Sequence, residues 1–130
     1  MKTLALVCIG GAVGSGLRYA ATHAVTQWAL RVHGSAFPWG TLAVNVLGSF
    51  LLGFLLTARA ASGGVPEDLR FAVGTGVLGG FTTYSTFNFE TLALAQGGRL
   101  GAAAANVGVT LLACIGAGLA GMLLARAVAP

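Results

Sequence analysis

Charged positions divide the chain into four long apolar runs. No residue from Val32 to Ala58 carries a formal charge, and none from Leu100 to Ala125 does. Phe71 to Phe89 is equally bare, and Thr3 to Leu30 is interrupted only by Arg18. A helix needs about 20 mostly apolar residues to cross a bilayer core, so each run is long enough for one crossing. The breakers fall between the runs. Gly34-Ser35 and Pro38 separate the first from the second, Ser62-Gly63-Gly64-Val65-Pro66 the second from the third, and Gly97-Gly98 the third from the fourth. Proline suits the first turn of a helix, where its missing N–H costs nothing. Glu67 and Asp68 then suit the start of the third helix, where the helix dipole favours acids. The pattern predicts helices over about 3–31, 38–60, 66–95 and 99–127. They make an all-α membrane protein, a single four-helix transmembrane domain over 1–130.

Composition sharpens this reading. Of 130 residues, 56% are hydrophobic and 8% charged, against about a quarter charged in a soluble domain. A chain so poor in charge cannot cover a water-facing surface, which excludes an ordinary soluble enzyme and a disordered tail. The first run is too long for a signal peptide and reads as a first span. Trp28, Phe37 and Trp39 cluster at the first loop as an interfacial belt. Many glycines fall inside the runs; Gly10 and Gly14, like Gly76 and Gly80, are spaced to let helix backbones approach closely in lipid. Cys8 and Cys114 lie inside spans, with no CxxC or metal-ligand spacing, and are expected to be small buried apolar residues. His23 and His33 are read as interfacial.

The net charge of +4 is spread thinly. Four crossings put both termini on one side with Lys2, Arg59, Arg70 and Arg126, and leave Arg31 and Arg99 on the other. That favours termini inside, but weakly. A chain with so little bias can insert both ways, and two opposed copies can form an antiparallel dimer. The basic residues are too scattered for a nucleic-acid surface.

Polar groups inside a membrane are functional hypotheses by default. Arg18 lies ~22 Å along the first helix at 1.5 Å per residue, placed either to snorkel to the far interface or to stand at the mouth of an anion path. Asn45, in the second helix, is either interhelical glue or a donor in a pore. The richest segment is GGFTTYSTF, Gly79 to Phe87. Its paired glycines weaken a helix by about 1 kcal/mol each, and its threonines and serine can bond back to carbonyls and bend it. A helix broken here would free carbonyls able to coordinate a cation, as half-helices do in transporters. Tyr84 and Phe87 share a face, with Thr82, Ser85 and Thr86 on a neighbouring hydroxyl face. The positive edges of aromatic rings beside hydroxyl donors can hold a small anion; the plainer reading is aromatic packing with hydroxyls bonded to their own helix. In the fourth helix Asn106, Thr110 and Cys114 form one polar stripe, either a second pore wall or interhelical bonding. No Ser-His-Asp set, paired carboxylate or phosphate loop is present.

Three segments carry a resemblance: GGAVGSGLRY (Gly10 to Tyr19), PWGTLAVNVLGSFLLG (Pro38 to Gly53) and GGFTTYSTFNFE (Gly79 to Glu90). From first helix to last, the chain resembles the CrcB/Fluc family of fluoride channels. The resemblance implies a fluoride-selective passive channel that exports F⁻ across the bacterial inner membrane and lowers cytoplasmic fluoride toxicity. It implies an antiparallel dual-topology homodimer whose third helices break in mid-membrane. It implies a structural Na⁺, held by the backbone carbonyls of Gly79 and Thr82. It places Asn45, Tyr84, Ser85, Thr86, Phe87 and Thr110 on the fluoride pathway and Arg18 in a vestibule, with Glu90 at a pore mouth. The chain departs from the family's pattern at Tyr84, where Phe is usual, at Asn106, where Tyr is common, and at Cys114, where a small or hydroxyl residue is common. A small four-helix multidrug exporter also fits the length, but it needs a carboxylate in the first helix, where this chain has Arg18. A non-transporting membrane assembly subunit would explain the glycines but not the hydroxyl-aromatic segment.

Overall fold

The computed structural model describes residues 1–34, 37–62 and 66–128, with the side chains of 59–62 left aside. Parts of the two predicted loops, at Ser35 and at Gly63-Gly64-Val65, and the side chain of Arg59 therefore lie outside the described residues. Every regular element among the described residues is helical. Helix α1 is Lys2–His33 and α2 is Trp39–Ser62. The third segment is compound: α3 at Glu67–Arg70 runs into a π-helix at Phe71–Leu78 and then α4 at Gly79–Phe81. After Thr82 and Thr83 the chain resumes as α5, Tyr84–Gln96, and α6 follows at Leu100–Val128. Among the described residues, three helices are long and apolar enough to cross a membrane: Lys2–His33, Trp39–Ala58 and Leu100–Val128.

The breakers act locally as their chemistry requires. Gly34 ends α1 with φ 57°, and its N–H bonds the Leu30 carbonyl at 3.0 Å. That left-handed cap strongly favours glycine, which has no Cβ to clash. Gly98, at φ 74°, turns the chain between α5 and α6 in the same way. At the other end of the bundle α1 is tied to α3. The Thr3 hydroxyl donates to the Asp68 carboxylate, and Lys2 Nζ lies 3.5 Å from the same group.

Glycine also sets how closely the helices approach. Gly10 and Gly14 of α1 face Ala72 and Val77 so tightly that a Cβ on either would overlap a backbone carbonyl. From the opposite side, a Cβ on Gly76 would sit 3.1 Å from Gly10 Cα, and one on Gly80 would sit 2.7 Å from the Gly11 carbonyl oxygen. The two glycine pairs legible in the sequence thus meet across one helix crossing. Gly53 and Gly121 do the same where α2 packs on α6, against the Gly118 and Phe50 carbonyls. In lipid, where apolar burial against a neighbour gains little, such close backbone contact supplies much of the packing energy.

Much of the outer surface is apolar. Leu4, Ile9, Val13 and Leu17 of α1 and Leu112, Ile115, Leu119 and Leu123 of α6 all point outward. A soluble monomer rarely exposes so much contiguous apolar area; hydrocarbon accounts for it. Cys8 belongs to this outer face and is exposed, which corrects the expectation that it is buried: α1 buries only Gly10, Gly14 and Ala29.

Candidate functional site

The third segment stops being helical at its threonines. Thr82 has φ −87°, ψ 158° and Thr83 φ −151°, ψ 114°, both extended. Within the segment expected to break, the threonines leave the helix and the glycines do not: Gly79 and Gly80 are both helical. Gly80 is needed there for its approach to Gly11 of α1, and β-branched threonine is the residue type at ease in extended backbone.

What holds the extended pair is Asn45 of α2. Its Nδ2 donates to the Thr83 carbonyl at 3.0 Å, and its Oδ1 accepts from the Thr83 N–H at 2.8 Å. The side-chain amide thus pairs with Thr83 as a neighbouring strand would. Both residues are buried, and an unpaired backbone group away from water would be costly. Thr83 then caps α5: its Oγ1 accepts from the Thr86 N–H at 3.2 Å and donates to the Thr86 hydroxyl at 3.0 Å. Its Oγ1 also lies 3.3 Å from Ser85 Oγ. Thr82 caps the other end, sending its N–H and its hydroxyl back to the Leu78 carbonyl, each at 3.1 Å.

The interruption changes which carbonyls are engaged. In a continuous helix the Thr83 N–H would bond the Gly79 carbonyl; here it goes to Asn45. The Thr82 carbonyl lies beyond the last helical turn and accepts from Arg18 Nη1 at 3.0 Å. Arg18 is thereby fixed beside the interruption rather than extended toward an interface.

Two cavities meet at Thr83. The first, about 310 Å³, is lined by Asn45, Gly48 and Ser49 of α2, Gly79 and Thr82, then Tyr84 and Phe87 of α5, and Thr110 and Cys114 of α6. The rings of Tyr84 and Phe87 stand 5.7 Å apart and tilted at 49°, Tyr84 exposed and Phe87 buried. The second cavity, about 400 Å³, is lined by Ser15, Arg18, Tyr19, Thr22, His23, Thr26, Thr41, Thr83 and Thr86. The expected pathway residues are therefore divided. Asn45, Tyr84, Phe87, Thr110 and Cys114 converge on the first cavity, Arg18 and Thr86 on the second, and Ser85 lines neither.

Asn106 faces neither cavity. It is almost fully buried, and its Nδ2 donates to Thr91 Oγ1 at 2.8 Å, which in turn donates to the Phe87 carbonyl at 2.7 Å. Thr110 donates to Asn106 Oδ1 at 3.4 Å, at the long limit of a hydrogen bond. Glu90 accepts from the Thr41 hydroxyl at 3.0 Å through Oε1, while its Oε2 is buried with no partner among the described residues. With Thr26 and Arg99 it lines a further cavity of about 410 Å³. Thr83, Thr41 and Thr91 carry much of this network and were not singled out in the sequence. Only Thr83 left a local signal, a Thr three residues ahead of Thr86 at the start of a helix.

The described residues contain no cluster of three or more His, Cys, Asp or Glu side chains able to hold a metal. Long apolar helices around one interrupted segment, with a cavity on either side of it, define a multi-pass helical membrane protein. Within that class the chain belongs to the CrcB-like protein, Camphor Resistance (CrcB) family, whose model matches residues 5–122. It is 56% identical, over 97% of each chain, to a protein of Anaeromyxobacter dehalogenans named fluoride-specific ion channel FluC. Proteins of the same name from Agrobacterium fabrum and Citrifermentans bemidjiense are 44% and 42% identical over nearly their full lengths. The chain is a multi-pass bacterial membrane protein.

Proposed function

We propose that the chain is the protomer of a passive, fluoride-selective channel. HF enters the cell as a neutral acid and ionises in the cytoplasm, and the channel lets F⁻ leave down its own gradient. The observation that carries this reading is the 56% identity, across 97% of the chain, to a protein named as a fluoride-specific channel. The first cavity supports it chemically. Fluoride is small and strongly hydrated, so a selective path must replace its water with close donors. Asn45 Nδ2 keeps one hydrogen beyond its bond to Thr83. The Thr110 hydroxyl is held only by its 3.4 Å contact and is readily released to an anion. The ring edges of Tyr84 and Phe87 add weak positive potential. Donors of this modest strength suit conduction, which needs binding weak enough to let the ion go. Arg18, beside the second cavity, raises the local anion concentration electrostatically. The protein performs no bond-making chemistry on this reading and is not an enzyme.

The third segment crosses the membrane with Thr82 and Thr83 at mid-depth, where extended backbone is tolerated only inside protein or beside water. Two copies insert with opposite orientation in the inner membrane and pack as an antiparallel homodimer. A structural Na⁺ belongs to this reading, and the chemistry of the donor set fits it. Gly79 O has lost its helical partner and is a neutral oxygen of the kind hard cations take; Thr82 O is another, and it would offer its second lone pair, since the first accepts from Arg18. One chain offers only these two, so the second copy completes the shell. The ion supplies fixed positive charge between the two pathways. Exchanging Na⁺ for a bulky organic cation is expected to lower the melting temperature of the purified dimer; an unchanged melting temperature would remove the ion from the reading.

The test of function is efflux from liposomes holding only the purified protein, read with fluoride and chloride electrodes. Rapid fluoride release with chloride retained is the expected result. No fluoride release from protein shown to be folded and dimeric would return the function to the exporter or assembly-subunit readings.

A further inference from the structure

Away from both cavities, an apolar groove of about 560 Å³ opens on the outer face where α1, α2 and α6 meet. Val25 and Trp28 form one wall, and Trp39, Val46, Leu47 and Phe50 form the other. From Trp39 to Phe50 the groove follows α2 for ~16 Å at 1.5 Å per residue. That is half of a hydrocarbon core about 30 Å thick, the depth of a single leaflet. One end is aromatic. The His33 ring stands 5.7 Å from Trp28, edge to face, and 6.2 Å from Trp39, and Phe37 packs 4.8 Å from Trp39. Indole rings favour the headgroup level of a bilayer, so this end marks the water boundary and Phe50 the inner end.

Basic side chains gather at the aromatic end. Arg31 and His33 occupy the last turn of α1. Arg99 lies at the same end, lining a cavity with Leu30, Phe37 and Pro38. The chain has three acids, Glu67, Asp68 and Glu90. Glu67 and Asp68 pair with Arg70 and Lys2 at the opposite end of the bundle, and Glu90 accepts from Thr41 and shares its cavity with Arg99, not with Arg31. Arg31 makes no ion pair among the described residues, which leaves a cation at the open end of an acyl-length groove.

We propose that this groove is a binding site for one anionic phospholipid. An acyl chain lies between Val25 and Phe50, the indoles of Trp28 and Trp39 flank the glycerol region, and Arg31 and His33 take the phosphate. A headgroup with net negative charge is preferred over a zwitterionic one, because a choline would bring a second cation beside Arg31, which makes no ion pair among the described residues. The site is independent of ion conduction and stands whether or not fluoride is the permeant ion.

The molecule carries its own reporter, because Trp28 and Trp39 are its two tryptophans and both line the groove. The full-length protein is placed in vesicles of zwitterionic phosphatidylcholine with a small mole fraction of either phosphatidylglycerol or phosphatidylcholine brominated on its acyl chains. Brominated phosphatidylglycerol is expected to quench tryptophan emission at least twofold more than brominated phosphatidylcholine at the same mole fraction. That excess should vanish in Arg31→Gln/His33→Gln while the variant keeps its helical circular dichroism. Equal quenching of the wild type by both lipids overturns the proposal. So does an excess that survives the double substitution, and so does an absence of quenching by either lipid, the result expected if a second copy of the chain covers the groove.

Discussion

Asn45 commits both ends of its side-chain amide to the backbone of Thr83, so its part in any ion path cannot be separated from its part in the fold. Thr110 differs, because its one hydrogen bond is the loosest in the network. Substitution should tell the two apart. Asn45→Ala strands a buried N–H and a buried carbonyl, at about 1–3 kcal/mol each. Its melting temperature and its fluoride efflux are expected to fall together. Thr110→Val keeps the shape and removes the hydroxyl, with a stability change of about 1 kcal/mol or less. Its efflux should fall severalfold with melting nearly unchanged. Wild-type efflux from folded Thr110→Val would take that hydroxyl out of the pathway. The sequence marked both residues as polar groups in apolar helices, each with two open roles. It could not show that Asn45 reaches a residue 38 positions away, nor that Asn106 turns to Thr91, because those pairings exist only once the helices have packed. Cys114 shows the same limit: its stripe with Thr110 was legible, its place on a cavity wall was not.

At the scale of elements, the crossing of α1 with the π-helix is a close backbone contact. It rests on glycines whose spacing could be read directly, since positions four apart share a face. The winding of Phe71–Leu78 could not be read, because a π-helix is a small change of pitch with no residue signature of its own. The interruption was legible only as a region holding both glycines and threonines; which residues turn extended depends on where Asn45 can reach. A paired substitution separates crowding from propensity. In Gly14→Ala the new methyl meets the Val77 backbone, which cannot swing away as a side chain would. Overpacking of this kind costs about 1–3 kcal/mol. Gly16, two positions further along α1, has open space where its Cβ would be, and Ala is the better helix former by about 1 kcal/mol. Thermal unfolding in detergent should therefore show Gly14→Ala less stable than wild type and Gly16→Ala equal or more stable. Equal loss in both would mean that the crossing does not depend on close approach.

At the scale of the whole molecule the open question is orientation, and charge is the lever. Lys2, Arg59, Arg70 and Arg126 mark one end and Arg31 and Arg99 the other, a bias small enough for a few added lysines to override. Ser35→Lys/Ala36→Lys strengthens the end now poorer in charge, and Ala129→Lys/Pro130→Lys strengthens the end that holds the termini. If the functional unit needs two copies of opposite orientation, each double variant expressed alone becomes mostly one-way in the membrane and loses most of its fluoride efflux. Expressed together, the two supply both orientations and efflux returns. A unit built from parallel copies behaves otherwise: each variant alone keeps its efflux, and co-expression adds nothing. Cellular fluoride resistance, scored for each variant and for the pair, separates the two arrangements without any need to purify the dimer.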